Sequence, residues 1–396
     1  MAKKLKLAII GCGGMSHGHL DGYMKIKEKE PGKFDFAAMC DPVMERAQNF
    51  ANEAAKTQDL APKVYTDVDT MLKNEDLDAA DICSRHCDHH VNAIACLNKG
   101  TNIMTEKPFG VTIKASKAMI EAGKRNGKIT ATAENIRRGP SQRAARWMFN
   151  DTKLIGDPRM FFSQSASWRD TKPGGWHWRL DFMMGGGGMV MDSGAHFCDT
   201  IRFLFGDVDT VYAQVKQLEQ RKAVKDGNIV KDWQEDTWVA TINFKSGVTG
   251  LWSVTWSAPG QGFSNIIYYG TEGSLLDHDV FHGPWGNAEL TMKDGTKRPF
   301  SEIEKEFMAS LSEDEKNRLF PLGFTNGVHI ECYDFLDAIQ NNREPEVTGE
   351  VGMRAKAICE SIFESAYCGK AVKYDDVLSG KIDGYQSAIN NYWGLW

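Results

Sequence analysis

A short apolar run, Leu5 to Ile10, breaks at once into Gly11-Cys12-Gly13-Gly14-Met15-Ser16 and then into a helix-like segment, an order that few folds accept. Gly11 permits a tight turn after a strand, Gly13 lets a pyrophosphate approach the backbone, and the helix N-terminus that follows faces the phosphates. Ser16 stands where the G-x-G-x-x-G pattern has its third glycine. A glycine trio alone is a weak signal, and the context strengthens it. Phe36-Ala-Ala-Met-Cys-Asp41 reads as a second strand ending in an acid, with a helix expected from Met44 to Ala55. Asp41 can accept hydrogen bonds from an adenosine ribose and its charge repels a 2′-phosphate, so NAD is expected rather than NADP. Its alternative use is a helix N-cap before Pro42.

The alternation continues. Leu77 to Ser84 is a third strand, and Arg85-His86-Cys87-Asp88-His89-His90 after it suits a loop entering a helix N-terminus rather than a closed ligand set, so no metal is expected. A helix over His89 to Lys99 and a strand over Asn102 to Met104 lead into Glu106-Lys107-Pro108. Pro108 removes a ladder donor and fixes its own φ, so the chain leaves the sheet and Lys107 is held at a strand end. The alternative is a solvated Glu106–Lys107 charge pair. A helix over Lys114 to Lys124 and a strand over Ile129 to Ala133 follow, ending in Glu134-Asn135-Ile136-Arg137-Arg138.

Strands alternating with helices through residues 5 to 135 predict an α/β Rossmann domain, a doubly wound parallel sheet, spanning residues 1–138. Ligands bind at strand ends in such sheets. The expected cofactor contacts are Gly11, Gly13, Gly14, Met15, Ser16 and Asp41 at the first two strand ends. Ser84, His89, Glu106, Lys107 and Asn135 join them at later ones.

Residues 139–396 read differently. Val211 to Val215, Thr237 to Phe244, Gly247 to Trp256 and Asn265 to Tyr269 alternate or are rich in β-branched residues, with few long helices between them. An α+β domain on a mostly antiparallel open sheet is expected, its outer face free to meet a second copy of the chain in a homo-oligomer. Tyr333 to Gln340 and Val351 to Tyr367 read as helices. The polar stretches Lys216 to Asp236 and Glu302 to Asn317 read as long surface excursions. Before these strands, Gly185 to Gly188 lets the backbone pass close to another group, and a helix with Phe197, Ile201 and Leu204 on one side follows. Asp192 and His196 are four apart at its start and can point to one spot. The plainer use is an N-capping aspartate and a core histidine. Between the two signatures lies Ser167-Trp168-Arg169 through Trp176-His177-Trp178-Arg179, where tryptophan faces suit sugar C–H faces and arginine suits hydroxyls.

A chain of 396 residues exceeds what one core usually serves, in line with two domains. A formal net charge of -6 without a basic tract argues against nucleic acid or an anionic membrane as partner. No apolar run is long enough to span a bilayer, and the start lacks a signal-peptide core, so a cytoplasmic location is expected. Nine cysteines without a C-x-x-C pair are expected to be reduced and mostly buried.

The glycine turn, Asp41, Glu106-Lys107-Pro108, Glu134-Asn135-Ile136-Arg137 and the run Gly185 to Asp199 together resemble the Gfo/Idh/MocA family, which includes glucose-fructose oxidoreductase and inositol dehydrogenase. Ser16 and Met189 depart mildly from the family pattern. The resemblance implies that Lys107, Asp192 and His196 line an active site. Arg137, Trp168, Arg169, Trp176, Trp178 and Arg179 are expected to contact substrate with them. The expected chemistry is NAD-dependent dehydrogenation of a hydroxyl-bearing carbon in a sugar, glycoside or cyclitol: His196 takes the hydroxyl proton, Lys107 polarises the oxygen and Asp192 orients the histidine or a hydroxyl. Redox-assisted glycoside cleavage, with His177 as a possible further base, and a non-catalytic sugar or nucleotide sensor are the alternatives.

Overall fold

The computed structural model describes residues 3–169, 178–179, 181–220, 222–225, 228–231 and 234–396. The chain divides into two compact units, Met1–Arg138 with Glu313–Met353, and Gly139–Ser312 with Arg354–Trp396. A single cut after residue 138, the division read from the sequence, differs from this in the segment Glu313–Met353.

In the first unit, strands and helices alternate: β1 (Leu5–Ile10), α1 (Ser16–Lys29), β2 (Phe34–Cys40), α2 (Met44–Ala54), β3 (Lys63–Tyr65), α3 (Val68–Asn74), β4 (Ala79–Ile82), α4 (His86–Asn98), β5 (Asn102–Glu106), α5 (Ile113–Asn126) and β6 (Thr130–Ala133). The strands form one parallel sheet in the order β3-β2-β1-β4-β5-β6. Helices on both faces bury β1 from Leu7 to Ile10 and all of β4, which is why these strands are nearly continuous apolar runs. Asp81, in the middle of β4 with no exposure, is the exception. The helix ends follow local chemistry: Thr112 caps α5 by accepting from Ala115 N at 3.2 Å, and Gly127 closes it at φ +59°. The strand order reverses about β1, which pairs with both β2 and β4, and this crevice beyond the strand C-termini is where such sheets bind ligands.

The second unit contains α6 (Pro140–Arg146), β7 (Pro158–Ala166), α7 (Phe182–Gly185), α8 (Ser193–Phe205), β8 (Val208–Lys216), β9 (Lys222–Lys225), β10 (Asn228–Lys231), β11 (Thr237–Phe244), β12 (Thr249–Thr255), β13 (Phe263–Gly270), β14 (Gly273–Asp277), β15 (Glu289–Met292), β16 (Lys297–Pro299) and α9 (Phe300–Ser310). After α10 (Glu313–Leu319), α11 (Gly327–Asn341) and α12 (Gly349–Cys368), the chain adds β17 (Val372–Lys373), α13 (Tyr374–Ser379) and α14 (Ser387–Tyr392). Nine strands pair in the order β16-β15-β14-β13-β7-β12-β11-β8-β17, antiparallel everywhere except β7 with β12. The inner face carries Phe161, Trp238, Ala240, Ile242 and Trp252, against which α8 lays Phe197, Ile201, Leu204 and Phe205. Gly194 lets α8 approach, since a Cβ there would stand 2.7 Å from the Trp252 ring. The outer face leaves Met160, Phe162, Tyr212, Val239 and Tyr269 exposed.

The two polar stretches read as surface excursions contain regular elements among the described residues. Glu302 to Asn317 forms most of α9 and α10: Phe300, Ile303 and Phe307 give α9 a narrow buried stripe, while Arg298 reaches Glu302 and Glu306 on the solvent side. Within Lys216 to Asp236, β9 and β10 pair antiparallel. The segment Glu313–Met353 belongs to the first unit because α11 packs along α1. There His329 Nε2 lies 2.9 Å from Asp21 Oδ2, and Gln340 donates to the Lys33 carbonyl at 3.1 Å. Among the described residues no helix is long and apolar enough to cross a membrane.

Candidate active site

At the end of β1, Gly11 takes φ +90°, and a Cβ there would lie 2.7 Å from the Cys83 carbonyl and 2.8 Å from Ser84 N. Glycine is therefore required where the first strand turns beneath the loop after β4. No heavy atom lies within 4 Å of where a Cβ on Gly13 or Gly14 would stand, so the backbone of the turn is open. Ser16, fully buried at the first position of α1, donates from its hydroxyl to the Gly13 carbonyl at 2.8 Å. In the seat of a third glycine it thus clamps the turn. Met15 precedes it and is exposed. At the end of β2, Asp41 is buried, and its carboxylate accepts from Cys12 N at 2.9 Å and from Val43 N at 2.8 Å. Two backbone donors fix the acid beside the glycine turn with lone pairs left over for a diol. An open turn, a helix N-terminus without an acidic residue in its first turn, and a fixed carboxylate fit a dinucleotide whose ribose carries free hydroxyls.

The later strand ends are tied together by histidines. His89 is buried, its Nδ1 3.0 Å from the Pro108 carbonyl and its Nε2 3.0 Å from the Ser84 carbonyl. Burial lowers its pKa, and a neutral ring has one N–H to share between two carbonyls. Both ring nitrogens face backbone, so His89 ties the loop of Ser84 to that of Pro108. Lys107 is half-buried directly after β5, and Asn135 is half-buried after β6, while Glu134, Arg137 and Arg138 are buried.

His19 was not singled out by sequence, yet it is the hub of this region. With no exposure, its Nδ1 lies 2.8 Å from Asp81 Oδ2 and its Nε2 3.0 Å from Glu106 Oε1, with Glu331 Oε1 of α11 at 3.7 Å. Burial alone would lower the imidazole pKa, but the charge of Asp81 holds it well above its ordinary value. Burial pushes the Glu331 carboxyl well above the usual carboxylate range. Among the described residues His19 also belongs to the two clusters tight enough to share a cation, with Asp81 and Cys83 and with Glu106 and Glu331. Both its nitrogens already sit at hydrogen-bond distance from carboxylates, the arrangement of a protonated imidazole. The signal in the sequence was Asp81 inside an apolar central strand, a charge that needs a buried partner.

In the second unit, Asp192 stands at the N-cap of α8 but makes no side-chain capping bond. Its Oδ2 instead lies 2.9 Å from Arg179 Nε, and the Arg179 guanidinium stacks 4.1 Å from the Trp178 ring centre. The glycine run before it is held by Glu235, a residue the sequence did not single out, whose carboxylate accepts from Gly188 N and Val190 N at 2.8 Å each. His196 lies in the first turn of α8 with 8% exposure. Its ring centre is 5.3 Å from that of His282, a second histidine the sequence reading passed over. Asp279, three residues before His282 in a turn with Gly283-Pro284-Trp285, was the available cue. Trp168 pairs with Ser257 in an isolated bridge and is half exposed, while the Arg169 guanidinium stacks 4.6 Å from the Trp256 ring centre. Trp176 and His177 lie outside the described residues.

Such a sheet, with an open glycine turn and an acid at the second strand end, defines a dinucleotide-binding domain, and comparison with known proteins identifies the family. Residues 5–134 match the model described as "Oxidoreductase family, NAD-binding Rossmann fold", and residues 142–276 match the GFO/IDH/MocA C-terminal domain. The chain belongs to the GFO/IDH/MocA family of NAD-binding oxidoreductases. It is 26% identical over 381 residues to D-apiose dehydrogenase of Paraburkholderia graminis, covering 94% of this chain and 90% of that protein. To myo-inositol 2-dehydrogenase of Thermotoga maritima it is 24% identical, covering 80% of this chain and 85% of the relative. Among solved structures, levoglucosan dehydrogenase in complex with NADH and levoglucosan superposes with a TM-score of 0.74 at 22% identity, over 94% of this chain and 99% of the other.

Proposed function

We propose that this enzyme oxidises a hydroxyl-bearing carbon of a sugar, glycoside or cyclitol, with NAD as its redox partner. The observation that carries the reading is the pairing of Asp192 with Arg179 at 2.9 Å, four residues before the buried His196. A carboxylate turned off its helix end and held by a guanidinium is a fixed acceptor for substrate hydroxyls, and a histidine one helical turn on is suited to take a hydroxyl proton. The named activities of the relatives, on D-apiose, myo-inositol and levoglucosan, support a polyhydroxylated substrate.

Gly11, Gly13, Gly14, Met15, Ser16 and Asp41 would hold the dinucleotide, with Ser84, His89, Glu106, Lys107 and Asn135 at the later strand ends. NAD, when bound, supplies a hydride acceptor. His196 takes the hydroxyl proton, and Lys107 donates to the oxygen as negative charge develops on it. Asp192 accepts from a neighbouring hydroxyl. Arg137, Arg169, Trp168, Trp176, Trp178 and Arg179 bind the rest of the substrate. Absorbance of the purified protein at the reduced-nicotinamide band, with NAD and a panel of sugars, glycosides and cyclitols, tests this. Reduction by at least one member is expected; NAD binding without reduction by any would overturn it.

A homo-oligomer formed through the outer face of the nine-stranded sheet belongs to the same proposal. Tyr269 pairs with Met160 across β13 and β7, and its ring lies 6.1 Å from Phe162, giving an exposed apolar patch of the kind that marks an interface. Light scattering should give a mass above one chain, and Phe162→Lys with Tyr269→Lys should lower it. The nine unpaired cysteines suit a reducing compartment, and we assign the enzyme to the cytoplasm.

A further inference from the structure

Oxidising a carbinol to a carbonyl breaks one C–H and one O–H bond: the C–H hydrogen leaves with its electron pair and the O–H hydrogen leaves as a proton. On the reading above, that proton goes to His196. Each turnover then needs His196 to lose it again, yet the residue is only 8% exposed. His282 is its neighbour, with ring centres 5.3 Å apart and planes inclined at 55°. Imidazoles at this separation are within reach of a direct hydrogen bond or one bridging water. His282 has 32% of its side chain exposed, so it borders both the buried histidine and solvent.

The loop is built to hold that ring. Asp279 Oδ1 accepts from Phe281 N and His282 N at 3.0 Å each, and its Oδ2 accepts from Trp285 Nε1 at 2.9 Å and lies 3.3 Å from His282 Nδ1. Burial opposes ionisation of Asp279, but the bonds from His282, Trp285 and Phe281 N hold its carboxyl well below the usual carboxylate range. An ionised carboxylate facing Nδ1 selects the tautomer with its proton there and leaves Nε2 as the basic nitrogen. Gln142 Nε2 donates to the carbonyls of His282 and Pro284 at 2.9 Å each. Asp277 fixes the base of the same loop, its Oδ2 accepting from Trp285 N at 2.7 Å. Phe281 packs 6.0 Å from Trp252 and 6.1 Å from Trp238, anchoring the loop on the inner sheet face.

We propose that His282, oriented by Asp279, is the proton relay of this site, accepting the hydroxyl proton from His196 and delivering it to solvent. The proposal rests on the dehydrogenase reading. Since one histidine loses a proton as the other gains it, the relay consumes nothing, and its only product is the proton that the oxidation must release.

The test uses the whole enzyme, a substrate found in the panel above, and His282→Gln. Three measurements are needed: steady-state turnover in dilute buffer, the first-turnover burst at the reduced-nicotinamide band, and proton release followed with a pH-indicator dye. With the relay lost, steady-state turnover should fall about tenfold or more, and imidazole added as a buffer should restore it. The burst should stay within about threefold of wild type, because a first turnover asks His196 to take up a single proton and does not wait on its loss, while proton release lags behind it. Thermal midpoint and NAD affinity should match wild type, which separates a relay from a folding defect. Unchanged turnover in His282→Gln, or a loss equal in the first and later turnovers and untouched by imidazole, would overturn the relay alone. A wild-type enzyme that reduces no NAD with any panel member would instead overturn the dehydrogenase reading, and the relay with it.

Discussion

His19 Nδ1 lies 2.8 Å from Asp81 Oδ2, so an imidazole on the first helix neutralises a carboxylate inside a central strand. Removing one partner of a buried ion pair strands the other, typically at about 3–5 kcal/mol. His19→Ala takes the imidazole away from both Asp81 and Glu106 and should destabilise the first unit by about that much in urea unfolding. His19→Gln should recover part of the loss, since an amide still donates. A loss near zero for His19→Ala would mean that the carboxylates have other means of neutralisation.

Glu331 should make the same unit sensitive to alkali. Because burial raises its pKa above the ordinary 4.5, the native chain keeps a proton that the unfolded chain releases. Stability therefore falls as pH rises above that value. His19 acts in the same direction: its contribution is complete below the ordinary 6.5 and is lost as pH rises through its raised native value. Glu331→Gln carries no proton to lose, so its thermal midpoint relative to wild type should climb between about pH 5 and pH 8. A constant offset across that range would show that Glu331 is ionised in the native chain.

Asp41 should decide cofactor choice. Its carboxylate is fixed by Cys12 N and Val43 N and cannot swing away from a 2′-phosphate without losing both bonds. The ratio of kcat/KM for NAD over NADP should be well above one and should fall in Asp41→Ser. A wild-type preference for NADP would refute this.

His196→Ala and Lys107→Ala should each lower turnover by about 10²- to 10⁴-fold, the usual scale of positioned proton transfer, with little change in NAD affinity. Near-normal turnover in His196→Ala would remove it from the base role.

Carbonyl product and NADH should appear in equal amounts. Following aryl alcohol and NADH together with an aryl glycoside checks this, and aryl alcohol released without NADH accumulation would point to cleavage with the cofactor recycled on the enzyme.

Much of the first unit was legible because burial on both sheet faces writes strands as apolar runs. Leu5 to Ile10 is β1 to the residue. The three residues of β3 and the short α3 carry too few buried side chains to leave a pattern. α9 escaped notice because its stripe is one residue wide among acids. At the candidate site, Lys107 and Asp192 announced themselves through neighbouring proline and glycine, whose backbone demands are local. His19, Glu235 and His282 did not. Their environments are made by Asp81, Glu331, the 188–190 backbone and His196, residues distant in sequence that only folding brings near.

The return of Glu313–Met353 to the first unit also sets the order of events during synthesis. α1 is covered by α11: Cys332 Sγ and His329 lie against Gly22, and Glu331 stands over His19. A ribosome that has made only the first six strands has made a sheet with one helix bare along its buried side and Arg138 without Asp334, its ion-pair partner at 2.9 Å. The domain whose translation begins first is therefore not complete until Glu313–Met353 has been made, after most of the second unit. A fragment ending near residue 138 should be retained by chaperones or lost to proteases, whereas a fusion that supplies α10 and α11 through a short linker should restore it as an independently folding cofactor domain.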